Sequence, residues 1–152
     1  MNAPGPLDYY RSQACSLQWR GFVRALGEEF ELALEEADRL RLMARIGTRF
    51  ALAHPLPGVA SLDALQGAAN AAWAALDWGY ATFEEQHDRV LIRHGASPLA
   101  AAMGGPSAFV AGFLEGVYRQ WFRDAGMSPG LDVRAGAAES QDVATFLLSR
   151  AP

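Results

Sequence analysis

Residues 80–94 read YATFEEQHDRVLIRH, and the reading of this stretch decides the fold. β-Branched and aromatic residues crowd into two short runs, YATFEEQ and RVLIRH, with His87 and Asp88 near the point where the chain turns back. Such side chains suit a pleated, half-buried surface, so the stretch predicts a β-hairpin. The segments on either side follow a different period.

Upstream, Met1 to Pro6 is a proline- and glycine-bearing tail, expected to be loosely ordered by itself. From about Leu7 the pattern turns helical. Trp19, Phe22, Val23, Leu26 and Phe30 recur at i, i+3, i+4, i+7 and i+11, the stripe of one helix face. Gly27 is expected to break or bend this run, with a second helix following to about Ala51. That helix presents Ala33, Ala37, Leu40, Ala44 and Gly47, a face of mostly small residues that lets another helix approach closely. Its acidic start (Glu28, Glu29, Glu31, Glu35, Glu36) and basic end (Arg39, Arg41, Arg45, Arg49) suit the helix dipole, and Glu35 is spaced to pair with Arg39. Arg41, Arg45 and Arg49 read as a solvated stripe. After the linker of Pro55, Pro57 and Gly58, Ser61 caps a third helix whose inward face runs from Leu62 to Leu76 and which ends near Gly79.

Downstream of the hairpin, GASPLAAAMGGP (residues 95–106) reads as a loop leading to a second N-cap at Ser107. Val110, Phe113, Leu114, Val117, Tyr118 and Trp121 form the apolar face of a fourth helix, stopped at Gly126. Gly112 and Gly116 lie one turn apart and read as a close-packing face. Two more strands are expected at Leu131–Ala135 and Val143–Arg150. The order α-α-α-β-β-α-β-β predicts an α+β fold in which an antiparallel sheet packs against helices, with residues 1–152 as one domain.

Composition narrows the function. The 152 residues are 51% hydrophobic and 20% charged, the balance of a globular protein. A net charge of −4 argues against a general nucleic-acid binder, which needs excess cation to neutralise phosphates. All thirteen basic residues are arginine. With no lysine there is no P-loop lysine, no Schiff base and no lysine general base. Cys15 stands alone, so no intramolecular disulfide can form and a reducing compartment is favoured; it is expected mid-helix as an inert thiol. The start lacks a basic region followed by an apolar run, and the stretch from Ala68 to Ala81 is too short to span a bilayer. A soluble, cytoplasmic protein is expected.

No set of residues suited to catalysis emerges. His87 and His94 stand about 23 Å apart at opposite ends of one predicted strand, too far to share a metal, and His54 lies alone in the linker. Glu84 and Glu85 are adjacent on a strand and point to opposite faces, so they cannot act as a carboxylate pair. Glu115 lies one turn before Arg119 and reads as a structural ion pair, and Asp77 as a surface or capping residue. Ser61 and Ser107 lie outside any G-x-S-x-G elbow. The Gly104-Gly105-Pro106-Ser107 turn lacks a phosphate-binding pattern and reads as a turn only. Tyr9, Tyr10 and Trp19 cluster near the start, where packing against the core or another copy is the first explanation and a glucan surface the second.

The blocks Gly47-Thr48-Arg49, Leu62 to Leu76 leading into Trp78-Gly79, and Leu114-Glu115-Gly116-Val117-Tyr118-Arg119-Gln120-Trp121 resemble the D subunit of bacterial cellulose synthase. The likeness runs from about Leu17 to Gly126, with the right spacing between blocks. It implies a small, non-catalytic protein without a cofactor, acting on the cytoplasmic side of the inner-membrane synthase complex. It also implies a ring-like octamer of dimers that guides nascent β-1,4-glucan chains or orders the synthase complexes so that the chains crystallise together. Implied partners are the chain itself, the glucan, the membrane-embedded catalytic subunit and, in some bacteria, a proline-rich accessory protein. Gly47, Thr48, Arg49, Trp78, Gly79, Leu114, Glu115, Gly116, Tyr118 and Trp121 match the pattern and are read as fold and assembly residues. Tyr9, Tyr10 and Arg11 fall where the family lines its passages, although the N-terminal segment and the last strands depart from its pattern. The element order also looks like small-molecule sensor domains of the vinyl-reductase type, which would need a sizeable apolar cavity among the helices and would act as a dimer.

Overall fold

The computed structural model describes residues 5, 6, 9, 13–104 and 107–152. Helices α1 (Leu17–Ala33), α2 (Glu36–Ala53) and α3 (Leu62–Leu76) precede the hairpin of β1 (Tyr80–Glu85) and β2 (Val90–Gly95). A short α4 (Pro98–Met103), a long α5 (Ala108–Asp124) and strands β3 (Leu131–Ala135) and β4 (Val143–Arg150) follow. The strands form one antiparallel sheet in the order β1-β2-β4-β3. The fold is α+β, as the change of period at residue 80 predicts.

Local chemistry sets most element ends. The Ser61 hydroxyl accepts the Ala64 amide at 3.1 Å and the Ser107 hydroxyl accepts that of Val110 at 3.3 Å, so each serine opens its helix. Asp77 closes α3 in the left-handed region, and Gly126, with φ 100°, follows the end of α5. Four expectations are corrected. Gly27 does not break the first helix: it is the buried residue of α1, and a side chain there would strike the Met103 thioether and approach the Phe109 ring. The chain breaks instead at Leu34–Glu35, where Arg39 reaches back to donate to the Glu31 and Leu34 carbonyls at 3.0 and 2.7 Å. Arg39 thus caps the end of α1 and does not pair with Glu35. The 95–106 stretch is not all loop, because Ser97 caps α4 and Pro98 sits in its first turn, where the missing amide costs nothing. Cys15 lies in a bend before α1, buried, and not within a helix.

One face of the sheet packs on α5. Phe83, Ile92 and Phe146 align across three strands, and Tyr118 touches the rings at both ends of that row. The other side of α5 lies against α2 at a separation only glycine permits. A Cβ on Gly116 would come 2.8 Å from Ala44 Cα and closer still to its carbonyl. One on Gly112 would lie 2.8 Å from the Leu40 carbonyl oxygen, and one on Gly47 would lie 2.9 Å from the Val117 amide nitrogen. The small-residue face of α2 is therefore real over Leu40, Ala44 and Gly47, and Ala51 continues it, while Ala33 and Ala37 are exposed.

Replacing Gly116 with leucine is expected to cost at least about 1–3 kcal/mol by overpacking. Gly67, on the open side of α3 with nothing within 4 Å of its Cβ position, should behave oppositely. Gly67→Ala is expected to gain up to about 1 kcal/mol from helix propensity. Urea denaturation of both variants checks the contrast, and a Gly116→Leu protein of wild-type stability would show that the helices are free to part.

Candidate functional site

The densest polar arrangement lies between α3, β2 and α5. His94 Nε2 stands 2.8 Å from the Trp78 carbonyl oxygen, which can only accept, so the proton resides on Nε2. Nδ1 is then an acceptor, and the Tyr118 hydroxyl donates to it at 2.5 Å. The Tyr118 oxygen accepts in turn from Trp73 Nε1 at 3.1 Å. Trp73, Tyr118, His94 and the Trp78 carbonyl thus form one directional chain of hydrogen bonds. Its three side chains are fully buried, and the Trp78 ring stacks on Trp73 at 5.7 Å. Burial pushes the His94 imidazole down to about 4, against a smaller opposing effect of the Trp78 carbonyl, and burial raises the Tyr118 hydroxyl well above its usual range. Both are neutral at pH 7. With every polar atom engaged internally, the arrangement ties three elements together rather than presenting a reactive group.

A second set secures the sheet edges. On β1, the Ala81 amide donates to Asn70 Oδ1 at 2.7 Å while Asn70 Nδ2 donates to the Ala81 carbonyl at 2.8 Å. The Phe83 amide donates to Gln66 Oε1 at 2.7 Å. On β3, Arg119 donates to the Val133 carbonyl at 2.7 Å and the Ala135 amide donates to Glu115 Oε2 at 2.9 Å. Arg119 also pairs with Glu115 at 2.7 Å and with Asp132 at 2.6 Å. Burial is the largest single effect on both charges and acts against them, but the bonds and charges of Asp132 and Glu115 together raise the Arg119 guanidinium, and those of Arg119, the Val133 amide and Arg134 together lower the Asp132 carboxyl. Helix side chains thus occupy backbone groups on each outer edge that would otherwise invite another strand.

The remaining motif residues fall around these two sets. Thr48 donates to the Ala44 carbonyl within α2, and Arg49 is exposed. Gly79, with φ 89°, turns the chain from α3 into β1, Leu114 is buried in α5, and Trp121 Nε1 donates to the His54 carbonyl at 3.0 Å. Tyr9 is exposed, whereas Tyr10 and Arg11 lie outside the described residues. His87 lies in the hairpin turn, far in role from buried His94, and Glu84 pairs with Arg93 across the strands. Sequence reasoning missed Gln66 and Asn70. The available signal was two polar residues spaced i,i+4 in a helix otherwise rich in alanine and leucine.

Two adjoining grooves lie at the starts of α2 and α5. One, of about 350 Å³, lies between the starts of α2 and α5, the end of β3 and the start of β4, lined by Leu40, Val110, Ala135 and Thr145. The other, of about 260 Å³, adjoins it at Glu36, Ser107 and Ala108. Neither resembles an enclosed apolar cavity among the helices, whose interior is filled by Phe50, Trp73, Phe113 and Trp121. Among the described residues no three His, Cys, Asp or Glu side chains gather as metal ligands.

The family model for the D subunit of cellulose synthase matches residues 6–148. The chain therefore belongs to the D-subunit family of cellulose synthase, and the match extends past the Leu17–Gly126 likeness through β3 and most of β4. Among curated proteins, none matches the chain.

The depressed His94 value sets a pH dependence. Above about pH 6.5 the imidazole is neutral in both folded and unfolded chains. Below it the unfolded chain takes up a proton that the folded chain refuses until about pH 4, so stability falls across that window. Between pH 6.5 and 5 the loss from this group is expected to be about 2 kcal/mol. Denaturation midpoints across the interval check this, and His94→Gln should flatten the slope.

Proposed function

We propose that this member of the D-subunit family of cellulose synthase is a non-catalytic accessory protein that assembles with copies of itself to guide or order β-1,4-glucan chains during export and crystallisation. The observation that carries the reading is the family match across nearly the whole chain. The internal chemistry accords with it: His94, Tyr118, Glu115 and Arg119 are all engaged in holding the fold. The assembly proposed is an octamer built from dimers, with Gly47, Gly116 and Trp121 serving the fold of each copy. It would sit on the cytoplasmic face of the inner membrane beside the catalytic subunit, with a proline-rich accessory protein as a further partner. No helix of the described residues is long and apolar enough to cross a membrane, so attachment to that complex would be through surface contacts. Tyr9, exposed near the start, is the described candidate for glucan contact. The sensor reading has no comparable support, since the match is to the cellulose synthase family and aromatic rings fill the space a ligand would need.

Deleting the gene in a cellulose-producing host is expected to lower fibre yield or crystallinity, with recovery when the wild-type gene is returned. Cellulose of unchanged amount and order would contradict the reading.

A further inference from the structure

Helix α1 is seventeen residues long, yet Gly27 is its one fully buried residue. It leans on α4 and Phe109 through Leu26, Gly27 and Phe30, Val23 also packs on the core, and among the described residues most of its remaining surface is exposed. Four large apolar side chains on it face solvent: Leu17 at 82% exposure, Trp19 at 58%, Phe22 at 60% and Leu32 at 85%. At about 100° per residue, Leu17, Gly21, Ala25, Glu28 and Leu32 fall within an arc of about 80°, on the side away from α4, with Glu28 the one charged residue among them. A largely apolar stripe that the described residues leave exposed marks a contact surface.

The charges along α1 say which occupant fits. Arg20 and Arg24 lie in its first half, Glu28, Glu29 and Glu31 in its second. A parallel copy would set like charges side by side, whereas an antiparallel copy sets opposite charges together. Placing Leu17 of one copy against Leu32 of the other brings Gly21 and Ala25 to the middle, where small residues let the backbones approach. It also brings Arg24 of each copy, which already pairs with Glu28 of its own helix at 3.3 Å, beside Glu28 and Glu29 of the other. Lipid fits less well, because the acidic half would be repelled by an anionic bilayer. Strand addition at the sheet is also hindered, since helix side chains occupy both outer edges.

We propose that α1 is the contact helix of a two-fold symmetric dimer, each copy laying its α1 antiparallel along the α1 of the other. The inference rests on the reading that the chain assembles with itself and deepens it by naming the surface.

Cysteine cross-linking tests the geometry, in the full chain with Cys15→Ser as background. Leu17 and Leu32 are fifteen residues apart, about 22 Å along the helix, and a disulfide needs Cα atoms within about 7 Å. Mild oxidation is expected to link Ala25→Cys, near the two-fold axis, into a covalent dimer. Leu17→Cys alone should stay unlinked, and the Leu17→Cys/Leu32→Cys double variant should link. Cross-linking of Leu17→Cys alone at an equal rate would indicate parallel helices and overturn the proposal. So would an assembled chain in which no variant links, and so would wild-type binding to phosphatidylglycerol vesicles that Phe22→Ser abolishes. The mass of the unmodified chain separates the two levels. An oligomer lacking this pattern overturns the α1 contact alone, while a monomer overturns the assembly reading with it.

Discussion

The close approach of α2 and α5 at Gly47, Gly112 and Gly116 is the constraint on which the rest of the structure depends. Because no Cβ stands between the backbones, α5 sinks deep enough against α2 for its other side to meet the whole sheet. That depth carries Tyr118 to His94 and the row of Phe83 and Phe146. It also carries Glu115 and Arg119 to the edge of β3. Pushing α5 outward by one methyl group would loosen these contacts together, since packed interiors transmit displacement rather than absorb it.

The polar side chains of the interior close the molecule. The Trp73–Tyr118–His94 chain joins α3, α5 and β2 where a single unsatisfied atom would be costly, and each of its members has a partner. Gln66 and Asn70 on one side, and Glu115 and Arg119 on the other, use the edge groups of the sheet. What remains for partners is the outside of the helices and the adjoining grooves. An accessory protein that acts by position rather than by reaction is consistent with that division.

The elements legible in the sequence are those fixed by nearby residues. Ser61 and Ser107 cap the helices that their positions predict, β3 and β4 form at the two segments expected as strands, and the Glu115–Arg119 pair forms as its spacing predicts. The failures involve distant partners. Gly27 has poor helix propensity, yet it stays helical because Met103 and Phe109 need its missing side chain, and the true break at Leu34 carries no glycine or proline to announce it. His94 invites testing as a metal ligand, and nothing near it in sequence points to Tyr118, twenty-four residues away. Gln66 and Asn70 look like solvent-facing breaks in an alanine-rich helix until the strand beside them is seen. The family likeness, by contrast, is legible because its glycine and tryptophan blocks sit where the fold tolerates little else.

Light scattering behind a sizing column tests most directly whether this fold works as an assembly part. Eight chains of 16.4 kDa would weigh about 131 kDa, and the account predicts a species of that mass at working concentration. A stable monomer of one chain's mass would contradict it.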